Sequence, residues 1–244
     1  MTKLILAFSL ILVGASAGLA QAVTITPKKT VYQRTVREEM EHKKSFTITY
    51  PKVSGLSAAL NRKIEKALSY ERVFDFKLAD ELKDTFWLDE ADFATKYNAD
   101  GILAVALFIE GSGAYPSGSM KHIVINTKTG LQAKPDNIFL PAKKPQLIDF
   151  LEKRLRENNK KAIAELKADN AEDAETLTEM LAGKKFEAEN LNDFTIDEKG
   201  VTFFYEYGFP HVIRALEPDN ALFVSYADLK PFIRTDGLLG KFIR

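Results

Sequence analysis

The chain has 244 residues and no cysteine, and its 34 Lys and Arg residues balance its 34 Asp and Glu residues. A chain of this size can bury a hydrophobic core without cross-links, and a neutral charge balance gives no general attraction to nucleic acid or anionic lipid. Thiol catalysis and disulfide cross-links are excluded, because both require cysteine.

The first 22 residues have the pattern of a secretory signal peptide. Lys3 precedes an apolar run over residues 4–13, and Ala20-Gln21-Ala22 is a small-x-small cleavage site. We therefore expect cleavage near Ala22 and a periplasmic or secreted protein with no membrane span in its mature chain. A retained N-terminal anchor is the alternative.

The first predicted strands lie on either side of a charged segment. Residues 23–35 alternate in polarity and are interpreted as a first strand or a linker, and residues 37–44 as a solvated turn. Residues 45–50 alternate with a period of two, which predicts a strand. Pro51 is expected to end this strand, because proline cannot donate a hydrogen bond to a neighbouring strand.

Two helices are predicted next. Residues 56–68 carry leucine or isoleucine at every fourth position, and Ser57 is placed to cap the helix. Residues 78–97 continue with leucine and aromatic side chains and are interpreted as a second helix. The sequence Asn-Ala-Asp-Gly at residues 98–101 then predicts a turn.

The centre of the chain is predicted to be a pair of strands. Residues 102–109 are all apolar, which indicates a strand covered on both faces, and residues 121–127 are its predicted partner. The glycine-rich residues 111–118 between them predict a wide hairpin turn. Their glycine spacing matches no phosphate-binding loop.

The C-terminal half is predicted to combine helices with further strands. The clearest helix covers residues 144–167, with Leu147, Leu151 and Leu155 on one face. The other predicted elements are a helix at 175–181 ended by Gly183, a hairpin of 193–196 and 201–207, a strand at 221–226 and a helix at 227–233. The tail after Arg234 is expected to lie on the surface or to fray.

These elements favour an α+β fold, with a mixed or antiparallel sheet and helices packed mainly on one face. Residues 23–244 are expected to form a single domain. Strands joined both by tight turns and by helices argue against a doubly wound parallel sheet.

Three sequence blocks, in this order, resemble the extracellular domain of RsiV-type anti-sigma factors. The blocks are Phe-Thr-Ile-Thr-Tyr-Pro at residues 46–51, Gly-Ser-Gly-Ala-Tyr at 111–115 and Gly-Val-Thr-Phe-Phe-Tyr-Glu-Tyr at 200–207. That family senses lysozyme by binding it, and similar modules precede peptidoglycan deacetylases. The resemblance implies an N-terminal module of about 36–130 and a C-terminal RsiV-like module of about 137–233. Tyr115 stands where the family often has histidine.

The resemblance implies a non-enzymatic binding module of the bacterial cell envelope, whose partner is a lysozyme-like muramidase or a peptidoglycan component. The expected contact surface combines residues 111–118 with residues 208–220. The candidate partner-binding residues are Ser112, Tyr115, Pro116, His122, Tyr207 and His211. An aromatic ring on a rigid turn is typical of a binding anchor, while packing of Tyr115 back onto the sheet is the alternative.

Other interpretations of these residues stay open. His122 is also explained as a partly buried structural histidine, and the aromatic side chains of residues 201–207 as core. No cofactor is expected, because the three histidines are far apart and no His-Glu-x-x-His motif is present. A zinc site that the fold assembles from histidine with Asp or Glu is the alternative. The alternative functions are an envelope glycan hydrolase that uses a carboxylate pair and a structural envelope protein. Carboxylate pairs such as Asp89-Glu90 and Glu217 with Asp219 are numerous, and the sequence singles out none of them.

Overall fold

Two β-sheets organise the part of the chain that the computed structural model describes, residues 22–36 and 38–244. The predicted signal peptide, apart from Ala22, lies outside the described residues. The strands of the larger sheet, in spatial order, are β1 (Thr24–Gln33), β2 (Ser45–Ser54), β3 (Leu88–Ala99), β4 (Ile102–Ser112), β5 (Pro116–Asn126) and β6 (Leu131–Gln132). β2 and β3 pair in parallel and the other neighbours pair antiparallel, so this sheet is mixed.

β2 does not end at Pro51, contrary to the prediction. Pro51 lies opposite Pro27 of β1, and the strand continues to Ser54. Neither proline has an N–H group, so the two strands exchange no hydrogen bonds at this position. On its other side β2 pairs with β3 only at Thr47 and Ile48, so no neighbouring strand needs the missing donor.

Three short helices contribute to the core on one face of the larger sheet. They are α1 (Ala58–Ala67), α2 (Tyr70–Val73) and α3 (Leu78–Lys83). The Ser57 side chain accepts a hydrogen bond from the backbone N–H of Leu60, which confirms the predicted cap. Ile64 and Leu68 are buried together with Leu103 of β4 in this first core.

The helix predicted for residues 78–97 ends at Lys83, and most of the remaining stretch is strand β3. Two register shifts interrupt the pairing of β3 with β4. Leu88 and Ala91 are both buried although they are three residues apart in sequence. This spacing is not the period of two that identifies a strand, which explains why the sequence pattern indicated a helix.

The predicted central strand is confirmed as β4. A turn of Asp100 and Gly101, both with positive φ, joins β3 to β4, as Asp-Gly hairpin turns require. Along β4, Leu103 faces the first core, whereas Ile102 and Ala104 belong to a second core on the opposite face. β4 is therefore covered on both sides.

The second core is enclosed by a smaller sheet and the two longest helices. Its elements in chain order are α4 (Pro135–Ile138), α5 (Lys144–Asp169), α6 (Ala171–Leu181), β7 (Phe194–Ile196), β8 (Gly200–Phe204), β9 (Ala221–Ser225) and α7 (Tyr226–Leu229). β7, β8 and β9 form an antiparallel sheet of three strands. Leu151 of α5, Phe203 of β8 and Ile102 of β4 are buried together, so both sheets share this core.

The predicted α5 and the predicted hairpin of β7 and β8 are confirmed. α6 begins at Ala171 rather than at residue 175, because Asn170 caps it through the backbone N–H groups of Glu172 and Asp173. The sequence did not indicate that the C-terminal strands form a sheet of their own.

The C-terminal tail is packed rather than exposed, contrary to the prediction. Leu239 is fully buried, and the ring of Phe242 stacks on Tyr226 at 4.4 Å between centroids. Lys241 Nζ donates a hydrogen bond to the carbonyl oxygen of Asp100 at 2.6 Å. The tail therefore fastens the turn between β3 and β4 to the second core.

The α+β class is confirmed. The long helices α5 and α6 share one core with the smaller sheet, and the short helices α1 to α3 contribute to the other. Among the residues that the structure describes, no helix is long and apolar enough to cross a bilayer.

Candidate functional site

The turn between β4 and β5 is narrower than the sequence predicted. Ser112 pairs with Pro116, so the loop comprises only residues 113–115. Gly111 lies against the start of β3, where a Cβ atom would come within 2.1 Å of the Trp87 carbonyl oxygen. Only glycine permits this close approach of two backbones. Tyr115 is the last residue of the short loop that follows.

A buried lysine fixes the base of the turn. Lys43 ends the 3₁₀ helix Glu38–Lys43 and is 5% exposed, so it departs from the solvated turn predicted for this segment, in which Glu41, His42 and Lys44 are exposed. Lys43 Nζ donates hydrogen bonds to Asp89 Oδ1 and Ser112 Oγ, both at 2.6 Å. Ser112 Oγ donates in turn to Asp89 Oδ2 at 2.5 Å. The Ser112 hydroxyl therefore joins the turn to β3.

A second ion pair, in which both side chains are buried, supports the same part of β3. Arg34 Nη2 lies 3.0 Å from Glu81 Oε2, and the two side chains are 0% and 5% exposed. Arg34 also donates to the carbonyl oxygen of Leu88, and Glu81 accepts from the backbone N–H groups of Trp87 and Leu88. Because every one of these polar groups has a partner, the pair holds the strand in place at the turn end of the sheet.

The structure brings the two predicted contact segments together. The rings of Tyr115 and His211 stack at 5.0 Å with an interplanar angle of 26°, and His211 Nε2 lies 3.1 Å from the Pro116 carbonyl oxygen. Tyr115 is nevertheless 65% exposed, and the neighbouring Val212 is 85% exposed. We call Tyr115, Pro116, His211 and Val212 the Tyr115–His211 surface.

A pocket of about 520 Å³, with several charged side chains in its wall, adjoins this surface. Its wall includes Ser112 and His211, together with two carboxylates and one guanidinium from Asp89, Glu110 and Arg214. Opposite charges therefore line one small opening at the turn end of the sheet.

His122 is a buried residue and does not belong to the Tyr115–His211 surface. It is 6% exposed, its ring lies flat on Phe204 at 3.6 Å, and its Nδ1 is 2.8 Å from Asp193 Oδ1. The same carboxylate oxygen accepts a hydrogen bond from the His122 backbone N–H. His122 thus connects β5 to the smaller sheet, which agrees with its alternative interpretation as a structural histidine.

The structure places Tyr207, a predicted partner-binding residue, in the core rather than on the Tyr115–His211 surface. It is 1% exposed, and its hydroxyl donates to Asn159 Oδ1 at 2.7 Å. Burial raises the pKa of its phenol well above the ordinary value. The other aromatic side chains on its face of β8 and the following segment, Phe203 and Tyr205, are also buried.

A groove of about 860 Å³ runs along the outer edge of β5. One wall is the β5 stretch from Gly118 to Ile123, and the other is formed by Phe204 to Gly208 with Asn220. Lys121 and Glu206 form an exposed ion pair, at 3.1 Å, between the two walls.

Several residues of these openings could not be identified from the sequence. Asp89 was one carboxylate among many, and Glu110 and Arg214 carried no signal of their own. Their proximity depends on the register of β3, β4 and the segment after β8. Among the described residues, no group of three His, Cys, Asp or Glu side chains is arranged to hold a metal ion.

Comparison with known proteins identifies the fold. No protein-family model matches the sequence, and no curated protein is significantly similar to it. A DUF3298 family member from Bacteroides fragilis superimposes with a TM-score of 0.60 at 14% identity, over 92% of this chain and 98% of that chain. The fold is that of DUF3298 proteins. A second one, from Pseudomonas aeruginosa, gives a TM-score of 0.56 at 12% identity, over 87% of this chain and 94% of that chain.

At these identities the DUF3298 likeness concerns the fold alone. It fits the prediction of a domain of unknown function, and it does not extend to the RsiV-type family in particular.

Proposed function

We propose that this chain is a non-enzymatic binding module of the bacterial cell envelope that contacts its partner through the Tyr115–His211 surface. The observation that carries the proposal is an exposed aromatic ring held in one orientation. Tyr115 is 65% exposed yet stacked on His211. A ring that is already ordered loses little conformational entropy on binding, and aromatic anchors of this kind dominate binding energies.

The base of the surface is rigid, which supports the same proposal. Lys43, Asp89 and Ser112 join the turn to β3 through three hydrogen bonds. His211 approaches from the opposite side and contacts the carbonyl oxygen of Pro116. Preorganisation from both sides is expected in a surface that binds without rearranging.

The partner we propose is a lysozyme-like muramidase, with a peptidoglycan component as the second possibility. This choice comes from the resemblance to RsiV-type domains, as does the proposed periplasmic or secreted location. The test is calorimetric titration of residues 23–244 with lysozyme and, separately, with soluble peptidoglycan fragments.

Variants of the surface decide whether binding occurs there. Tyr115→Ala and His211→Ala should each weaken binding by about thirtyfold, the effect of a ~2 kcal/mol anchor. Tyr115→Phe keeps the stacked ring and should bind nearly as the wild type does. Leu131→Ala removes an apolar side chain from β6 that is also more than half exposed, and it serves as the control. Absence of binding to both partners, or full binding by Tyr115→Ala, would refute the proposal.

A second candidate function is hydrolysis of envelope glycans by a carboxylate pair. The specific observation in its favour is that Asp89 and Glu110 line the same pocket. Two carboxylates beside one opening are the minimum that glycoside hydrolysis requires. Glu110→Gln is the sharper variant, because Asp89 also holds Lys43. Turnover of labelled peptidoglycan that disappears in Glu110→Gln would establish this function, and absence of turnover in the wild type would exclude it.

A further inference from the structure

The outer edge of β5 has a row of main-chain groups that point away from β4. In an antiparallel strand, alternate residues direct their N–H and C=O groups to opposite sides. Four even-numbered residues of β5 identify the outward side, because their main-chain groups bond to partners on the side away from β4. These bonds are Pro116 O to His211, His122 N to Asp193, Val124 O to Ala133 and Asn126 O to Gly130.

Two residues in the middle of this row lack such partners. Gly118 and Met120 lie between Pro116 and His122, so their N–H and C=O groups point outward as well. Among the described residues, no hydrogen bond reaches these groups from outside the β4 pairing. Both residues are exposed, Met120 to 50%. The outward main-chain groups are therefore hydrogen-bonded at both ends of the row and unbonded at Gly118 and Met120 in its middle.

The local sequence leaves this opening accessible. Natural proteins protect free strand edges with proline or lysine, and here Pro116 and Lys121 lie on either side of Gly118, Ser119 and Met120. The four residues between them, Ser117 to Met120, carry no charge. Glycine within a strand often marks a place where a second backbone approaches closely.

The groove determines what can occupy this edge. Its opposite wall, from Phe204 to Gly208, faces the stretch from Gly118 to Ile123. Edge-to-edge pairing with a second copy of this chain would have to accommodate the second groove wall as well, because each copy has that wall beside its own β5. A single extended segment needs only the spacing of one strand, about 4.8 Å from its neighbour.

We propose that the open edge of β5 at Gly118 and Met120 binds an extended segment of a partner protein as an added β-strand. The segment forms main-chain hydrogen bonds with both residues, which is the usual mode of strand addition to a sheet edge. This site lies beside the Tyr115–His211 surface but does not depend on the function proposed for that surface.

Main-chain contacts, rather than charge, govern this recognition. The groove is lined by three basic and four acidic side chains, so its charges nearly balance. They are Arg72, Lys121, Arg214, Glu189, Asp193, Glu206 and Glu217. The ion pair of Lys121 and Glu206, which lies between the walls, is exposed and contributes little to stability, so it yields to an incoming strand.

A displayed library of random linear decapeptides, selected on residues 23–244, tests the proposal. Met120→Pro removes the outward N–H group but leaves the bonds to β4, which come from Ser119 and Lys121. Met120→Ala is the matched control, because it removes the side chain and keeps the N–H group. The selected peptide should bind Met120→Pro about tenfold more weakly or worse, and Met120→Ala within about threefold of the wild type.

Hydrogen exchange of the wild-type protein gives a second readout, which does not depend on whether a variant folds. Adding the selected peptide should protect the amides of Gly118 and Met120, which are otherwise unbonded. The proposal is wrong if no linear peptide is enriched, if the peptide binds Met120→Pro as well as the wild type, or if other amides are protected instead. Protection of the same two amides by a chitooligosaccharide would also overturn it, since the occupant would then be a glycan.

Discussion

The two ends of the hairpin formed by β4 and β5 are stabilised by different forces. At one end, Leu103, Val105 and Ile125 are buried between the strands and the helices of the first core. At the other end, the strands project to an exposed turn, and buried charges of Arg34 and Lys43 hold it. We call the first the closed end of the hairpin and the second, at the turn, its open end. Apolar packing stabilises the closed end, and ion pairs position the open end.

This difference explains how one hairpin can serve both stability and binding. Apolar side chains at the turn would close the surface by packing against each other, whereas fully paired charges order the turn and leave its tip exposed. The turn end therefore has an ordered aromatic ring, a pocket lined by charged side chains and an open strand edge within one region. The following predictions test this comparison, from the largest expected effect to the smallest.

The largest effect is expected from the ion pair at the open end. Glu81→Ala leaves Arg34 buried without its carboxylate and should lower the free energy of unfolding by ~3–5 kcal/mol. Urea unfolding followed by circular dichroism measures the change. Glu41→Ala, which removes the exposed partner of Lys44, should cost less than ~1 kcal/mol. Equal effects of the two variants would show that the buried pair has no special role.

Removal of apolar packing at the closed end should come next. Leu103 is fully buried, so Leu103→Ala should lower the free energy of unfolding by ~2–5 kcal/mol. Leu131→Ala, at a residue that is 56% exposed, should change it by no more than ~0.5 kcal/mol. If the two leucines prove equivalent under the same urea titration, the face of β4 that carries Leu103 is not covered by the first core.

An alkaline transition should report on the buried tyrosines of both cores. Burial, together with a hydrogen bond to Asp100, raises the pKa of Tyr97 to about 12, and burial also raises the pKa of Tyr70 and Tyr226. In the unfolded chain tyrosine titrates near pH ~10. The stability that depends on their neutral form is therefore complete below pH ~10 and is lost as pH rises toward the folded pKa values.

Tyrosinate absorbance and urea unfolding, both followed against pH, measure this effect. Tyrosines that ionise only as the protein unfolds would agree with the structure. Ionisation of all eight tyrosines near pH ~10, with the fold intact, would contradict the burial of these rings.

The smallest effect on stability is expected at the tip of the turn. Tyr115→Ala should change the free energy of unfolding by no more than ~0.5 kcal/mol, because the ring is mostly exposed. A loss near ~2 kcal/mol would mean that Tyr115 is packed as part of the core, which was the alternative interpretation of its sequence position.

The closed end of the hairpin could be predicted from side chains alone. Residues 102–109 are continuously apolar, and the leucines of α5 share one face, so both elements were predicted near their observed positions. β3 was mistaken for a helix because its register shifts break the alternation of buried residues. The Asp100-Gly101 pair before β4 was the signal that could have identified the hairpin.

The open end was predicted only in part. The turn and the segment after β8 were expected to form one surface, and the structure places Tyr115 against His211. The supporting charges could not be predicted, because burial of Arg34 or Lys43 depends on partners that are distant in sequence. The unpaired main-chain groups of Gly118 and Met120 were also missed, because side-chain hydropathy carries no information about which main-chain groups are hydrogen-bonded.

Amide hydrogen exchange along β5, measured by NMR on the free protein, tests the comparison most directly. The structure predicts alternation within one strand, with slow exchange at Ser119 and Lys121, which bond to β4, and fast exchange at Gly118 and Met120. Equal protection of all four amides would show that the edge is covered, and equal loss would show that the turn end is frayed. Either result would contradict an ordered hairpin with one closed end and one open end.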